Sequence, residues 1–207
     1  MQIYADLPQH LENGDANPEW LMLRAGKFTG SNFFVMLGNS ETKKKMILEK
    51  ATEHILEKPC NKDHYINADM LRGIEQESIA RKLYMQETFN EVKEVGFIER
   101  DEYSGVSPDG LVGEQGIIEI KCPKDTVFVE QSITEKIKPE YYTQIQYALY
   151  ITGRQWCDYV AYNENFPLLI RRYERDEEHI EKIKNALEDG IKQVKEIENK
   201  FKGKNNV

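Results

Sequence analysis

Only three cysteines occur in 207 residues, Cys60, Cys122 and Cys157, and no C-x-x-C is present. They are far apart and odd in number. A disulfide framework, a zinc site and an iron–sulfur site are therefore not expected. Three free thiols in a reducing cytosol is the expected state. No apolar run approaches the length of a membrane span. Met1 to Asp6 carries neither a basic n-region nor an apolar h-region, so no signal peptide is expected and the expected location is the cytoplasm. Internal repeats, low-complexity tracts and obvious linkers are lacking too. A chain of this length can bury a sizeable core without staples, and a single domain over 1–207 is the expectation.

Net positive charge is also missing. The formal balance is −8, which weakens a nucleic-acid partner because phosphate contacts need Lys and Arg. The charge is uneven, however. Residues 24–62 hold eight basic side chains against four acidic ones, which leaves +4 there. A metal-dependent enzyme acting on phosphates also keeps carboxylates that the metal neutralises.

The order of elements sets the fold class. Residues 1–18 read as an irregular leader. Trp20 to Leu23 starts a short helix or turn, and Thr29-Gly30-Ser31 caps a short helix stopped at Gly38. Helices are expected over Thr42–Glu57 and over about 68–86, the second capped by Asn67 with Met70, Leu71, Ile74, Leu83 and Tyr84 inside. Strands are expected at Val92–Ile98, Tyr103–Val106, Gly110–Val112 and Ile117–Cys122, the last stopped by Pro123. Glu130–Ile137 reads as helical, and Pro139–Ile151 is a helix with Gly153 past its end. Strands at Gln155–Tyr162 and Leu168–Tyr173 precede an amphipathic helix over about 176–201. The class is α/β (α+β), a mixed central sheet flanked by helices.

The chemistry concentrates in one stretch. In the strand Ile117–Lys121, Ile118 and Ile120 face one way, toward an expected core, and Glu119 and Lys121 the other. A carboxylate and an ammonium there are costly to bury without purpose. Asp109 sits just upstream on a turn that can place it beside Glu119. Two converging carboxylates and the Ile120 carbonyl make an oxygen-rich site suited to Mg²⁺, or equally to Mn²⁺. Lys121 can orient a water, take its proton if its own pKa is depressed, or steady developing charge on a phosphate; the sequence leaves these three roles open. Alone, Pro-Asp-Gly is common turn chemistry, and the pattern P-D…E-x-K is degenerate.

Ser107-Pro108-Asp109-Gly110-Leu111 followed by Glu119-Ile120-Lys121-Cys122-Pro123 resembles the core motif of the lambda exonuclease family of viral recombination nucleases, within the PD-(D/E)XK superfamily. Three further elements resemble that family in the same order. They are Trp20-x3-Arg24-x-Gly26-x2-Thr29-Gly30-Ser31, Gly73-x3-Glu77-x2-Ala80, and Gln144-Ile145-Gln146-Tyr147-x2-Tyr150. Together they span 20–153. The resemblance implies Asp109, Glu119, Lys121, Glu77 and Gln146 as catalytic, with Asp109, Glu119, Ile120 and Glu77 at the metal. It implies Arg24 and Ser31 at a 5′-phosphate, with Ser107 and Gln144 as further DNA contacts. It also implies a Mg²⁺-dependent 5′→3′ exonuclease that degrades one strand of linear duplex DNA from its end and leaves a 3′ overhang. A ring-shaped homotrimer and a single-strand annealing protein as partner belong to the same implication; a solution mass of one chain would exclude the ring. An endonuclease or flap nuclease uses the same core. A non-catalytic DNA-end-binding accessory protein is the rival from another class, and the intact Asp109, Glu119 and Lys121 argue against it.

Overall fold

The computed structural model describes residues 1–11, 13–60 and 68–205, side chains 68–70 and 205 excepted. In chain order the elements are β1 (Gln2–Tyr4), α1 (Pro18–Arg24), a 3₁₀ helix (Gly30–Leu37), α2 (Glu41–Leu56), α3 (Ala68–Thr88), β2 (Val92–Lys93), β3 (Phe97–Asp101), β4 (Ser104–Val106), β5 (Gly110–Val112) and β6 (Gly116–Lys121). Then come α4 (Asp125–Thr134), α5 (Pro139–Thr152), β7 (Trp156–Ala161), β8 (Leu169–Glu174) and α6 (Glu177–Asn205). The mixed fold class is as expected. No helix among the described residues is long and apolar enough to cross a membrane.

Local chemistry explains most boundaries. The Ser40 hydroxyl accepts from the Lys43 N–H and opens α2. Pro139 fits the first turn of α5, and Gly153 ends it with φ of 72°. Asn67 lies outside the described residues, so its expected cap is not assessed. Glu130–Ile137 was placed too late: α4 begins at Asp125 and ends at Thr134. Leu71, expected on the inner face of α3, is 41% exposed.

The strands form two sheets. One has the order β1-β3-β4; the other has the order β2-β5-β6-β7-β8, with β6 and β7 parallel and the remaining pairs antiparallel. Two expectations are corrected here. The leader is not wholly irregular, because Gln2, Ile3 and Tyr4 pair with Glu99, Ile98 and Phe97. The strand-like stretch Val92–Ile98 is not one strand but two, split between sheets at Glu94-Val95-Gly96. Gly96 allows this: a Cβ there would lie 1.8 Å from the Leu7 carbonyl oxygen.

Both faces of β6 are covered. Ile117 belongs to the larger core with Phe28, Phe33, Tyr147, Leu149 and Tyr159, under α5 and α6. Ile118 and Ile120 belong to a smaller core with Ala80, Tyr84 and Val160, under α3. The face that carries Glu119 is thus the major core face rather than an outer one. A strand buried on both sides reads as an apolar run, which Gly116–Ile120 does except at the buried Glu119.

Candidate active site

The register of β5 and β6 assembles the central carboxylates. Gly110 pairs with Ile118, so Asp109 lies one residue before that pair and Glu119 one residue after it, beside each other across the hairpin. The Asp109 Oδ2 accepts the Ile120 backbone N–H at 2.6 Å, which fixes its carboxylate at the end of β5. Glu119 is buried, at 3% exposure. Its Oε1 accepts from Lys121 Nζ and, at 2.6 Å, from Gln144 Nε2 on α5. Glu77 reaches the same place from α3, its Oε1 held by Arg81.

These groups line one open cleft of about 520 Å³ with Arg24, Ser31, Ser107, Ile120 and Tyr141. Nine of the ten residues singled out in the sequence therefore meet there: Arg24, Ser31, Glu77, Ser107, Asp109, Glu119, Ile120, Lys121 and Gln144. Gln146 is the exception. It is fully buried. Its Nε2 donates to the Glu174 carbonyl at 2.9 Å, and its Oε1 accepts the Asp176 N–H at 2.9 Å. Residues 144 and 146 are some 200° apart around a helix, so only one can face the cleft. The other ties α5 to the end of β8. Gln146→Ala should consequently lower unfolding stability by about 1–3 kcal/mol, because it strands two backbone groups. The rate per folded molecule should be unchanged. Denaturant melts and active-fraction-corrected kinetics check this; a rate loss at intact stability would restore Gln146 to the site.

Two further side chains complete the cleft. Tyr141 lines it with Lys121 Nζ 5.3 Å from its ring centre. Its spacing of three from Gln144 was the available signal. Trp20 stacks under the Arg24 guanidinium at 4.1 Å. It also donates from Nε1 to Ser107 Oγ at 2.9 Å, while Arg24 Nη1 donates to the same oxygen at 3.2 Å. Both acceptor positions of that hydroxyl are thus used, and its proton is left to donate. Arg24 further donates to Thr29 Oγ1 at 3.2 Å, and Gly26, with φ of 75°, turns the chain between them. Glu53 on α2 secures that turn by accepting the Gly26 N–H at 2.9 Å.

Four of the lysines in residues 24–60 are held in ion pairs. Lys27 pairs with Glu99, Lys43 with Asp189, Lys44 with Glu41, and Lys50 with Glu49 and Glu53. Arg24 is the residue of this segment that delivers charge to the cleft. Burial pulls its pKa down to about 10, which still leaves it cationic at neutral pH.

Burial also governs the carboxylates. It pushes the Glu119 carboxyl up to about 7, with Asp109 adding to the rise and Lys121 opposing it. It pushes Glu77 up to about 8, again with Asp109 adding and Arg81 opposing. Asp109 is raised by burial against the pull of Lys121 and the Ile120 N–H. For Lys121 burial alone would favour the neutral amine, but Glu119 and Asp109 outweigh it and hold the ammonium above the ordinary lysine range. Of its three open roles, proton acceptance is the least suited to this geometry.

Three neighbouring carboxylates, one buried and two half-buried, call for a cation, and their oxygens suit a hard divalent one. Asp109, Glu119, Glu77 and the Ile120 carbonyl are the candidate donors. In the present arrangement each carboxylate is turned to a protein partner, and no group of three or more acidic, His or Cys side chains among the described residues is gathered around one point. Donor chemistry fits the ion; Lys121 and Arg81 occupy its electrostatic role meanwhile.

Comparison with known proteins places this geometry. Residues 19–155 match the family described as YqaJ-like viral recombinase domain. No curated protein sequence matches. An alkaline exonuclease, LHK-Exo, from Laribacter hongkongensis superposes with TM-score 0.84 at 35% identity, over 92% of this chain and 98% of that one. LHK-Exo in complex with dAMP gives TM-score 0.84 at 34% identity over the same shares. A phage-related exonuclease from Haemophilus somnus 129PT shares the fold, with TM-score 0.62 at 17% identity, over 84% of this chain and 96% of that one. The four motifs and the cleft they build have the same explanation: the chain belongs to the YqaJ-like viral recombinase domain family.

Proposed function

We propose that the protein is a Mg²⁺-dependent 5′→3′ exonuclease that enters linear duplex DNA at a phosphorylated 5′ end and leaves a 3′ single strand for recombination by annealing. That it is a DNA exonuclease follows from its family and from 35% identity to an alkaline exonuclease along nearly its whole length. The polarity rests on one observation: an anion pocket adjoins the carboxylates within a single cleft. Arg24 supplies a fixed guanidinium, and Ser107 supplies a hydroxyl proton whose oxygen is already doubly occupied. Ser31, at the start of the 3₁₀ helix, lines the same end. A terminal phosphate seated there would set the next phosphodiester near Asp109 and Glu119.

Mg²⁺, or Mn²⁺, supplies Lewis acidity toward the scissile phosphate and acidifies the attacking water. Asp109 and Glu119 would hold it, with the Ile120 carbonyl and Glu77 in reach. Lys121 orients the water and neutralises charge that develops on the phosphate. Gln144 orients the Glu119 carboxylate through its 2.6 Å hydrogen bond to Oε1. The homotrimeric ring and the annealing partner are carried over from the family resemblance. A cytoplasmic location is supported by three cysteines that are all free.

The test compares 5′-phosphorylated with 5′-hydroxyl linear duplex. Wild type should degrade the phosphorylated end at least tenfold faster. Arg24→Gln should erase most of that preference by slowing the phosphorylated substrate alone. Equal wild-type rates on the two ends would remove the 5′-phosphate role and, with it, the ground for the polarity.

A further inference from the structure

Arg81 is absorbed by none of the roles above, yet it touches two of them. Its side chain is 11% exposed. It lies one turn after Glu77 on α3 and binds that carboxylate from Nη2. Its Nε donates to the Asp109 backbone carbonyl at 3.1 Å. Its Nη1 pairs with Glu94 Oε2 at 2.8 Å, on the connection between the two sheets. One planar group therefore joins a helix, the turn that carries Asp109 and the seam between the sheets. The elements that carry Glu77 and Asp109 meet in the smaller core, through Ala80 and Tyr84 of α3 and Val112 of β5; Arg81 joins them at the cleft itself. A second cleft of about 560 Å³, between the leader and α3, runs behind both and is lined by Arg81 itself. The shared core and the Arg72 bond to the Cys122 carbonyl place α3 on the sheet; Arg81 contacts both the Glu77 carboxylate and the Asp109 backbone.

We propose that Arg81 is the positioning residue of the metal site: its guanidinium fork locks the Glu77 carboxylate and the Asp109 backbone in the relative placement that lets both serve one divalent cation. The role needs the fork, not merely the charge. A lysine in its place can reach one of the two acceptors but cannot present two donors from a rigid plane. Charge alone would act in the opposite sense, since a nearby cation repels a metal ion. The proposal rests on the metal-dependent reading of the cleft.

The experiment is Mn²⁺ binding to the full-length, DNA-free protein, followed by calorimetry and by the loss of the free-ion electron paramagnetic signal. Arg81→Lys keeps the charge and should raise the Kd for Mn²⁺ about 10-fold or more, the usual scale when an outer partner of a ligand is lost. Arg81→Gln should weaken binding as well. Glu94→Gln, which removes only the exposed end of the network, should bind like wild type. In a Glu77→Gln background the Arg81→Lys effect should shrink, because the residue acts through Glu77. Thermal melts check that each variant is folded. Wild-type affinity in Arg81→Lys, or a gain in affinity in Arg81→Gln, overturns the proposal. Should wild type itself bind no Mn²⁺ and cut no DNA, it is the metal-dependent reading that fails rather than the assignment of Arg81.

Discussion

Lys121→Ala is expected to slow degradation of 5′-phosphorylated linear duplex by about 10²–10³-fold, the scale for loss of one preorganised charge at a developing oxyanion. DNA binding should change little, since Arg24, Ser31 and Ser107 are untouched. The argument is geometric. Lys121 shares the β6 face of Glu119, donates to its Oε1, and lies against Tyr141, so its ammonium is fixed before substrate arrives. Binding by fluorescence anisotropy and single-turnover hydrolysis with Mg²⁺ or EDTA separate the two effects. Closed circular plasmid supplies the second arm. Wild type should leave it intact. If the circle is cut as fast as the linear form, the catalytic core stands and the end-dependence does not. If the mutant cuts normally, Lys121 is only the counter-charge of Glu119.

The second large effect is on stability, and it runs against the usual acid instability of proteins. The Glu77 and Glu119 carboxyls titrate in the folded protein near 8 and 7, well above an ordinary glutamate, because burial and mutual repulsion disfavour their ionised forms. A group whose folded pKa is raised contributes stability that is complete below its unfolded value and is lost as pH climbs through the folded value. The metal-free protein should therefore lose stability from about pH 5 to about pH 8.5. Glu77 is 32% exposed at its side chain, so solvent screening trims its share. The combined loss should be on the order of 2–4 kcal/mol, several degrees in Tm. Saturating Mg²⁺ should abolish the decline by binding only the folded, ionised site. Glu119→Gln should reduce it without metal, leaving the share due to Glu77. Calorimetric Tm values in EDTA across this range decide the matter; a metal-free Tm that holds or rises toward pH 8.5 would contradict the site's electrostatics.

Much of this protein is legible in its residues, for a definite reason. The strand Ile117–Lys121, its Pro123 stop and the turn at Asp109 are short-range features, and alternation along a hairpin suffices to put Asp109 beside Glu119. The caps at Ser40 and Gly153 and the amphipathic α6 are equally local. The resemblance carried by four ordered motifs added Arg24, Ser31 and Glu77, which no local pattern would connect to the core.

What tertiary structure alone decided lies where separate elements meet. Sequence spacing could not say which of Gln144 and Gln146 faces the cleft, because both answers fit a helix; the packing of α5 against the 3₁₀ helix and α6 chose Gln144. Nor could it show that the Val92–Ile98 stretch divides between two sheets, since strand propensity is local and the partners of each half lie elsewhere in the chain. The local excess of lysine is partly offset by acidic partners far away in sequence, Glu99 for Lys27 and Asp189 for Lys43. The hydrogen bonds that commit Ser107 to donate, and the one from Arg81 to the Asp109 carbonyl, span 28 to 87 residues of chain. Pattern in a sequence reports which face a residue prefers; only packing fixes which distant group it meets there.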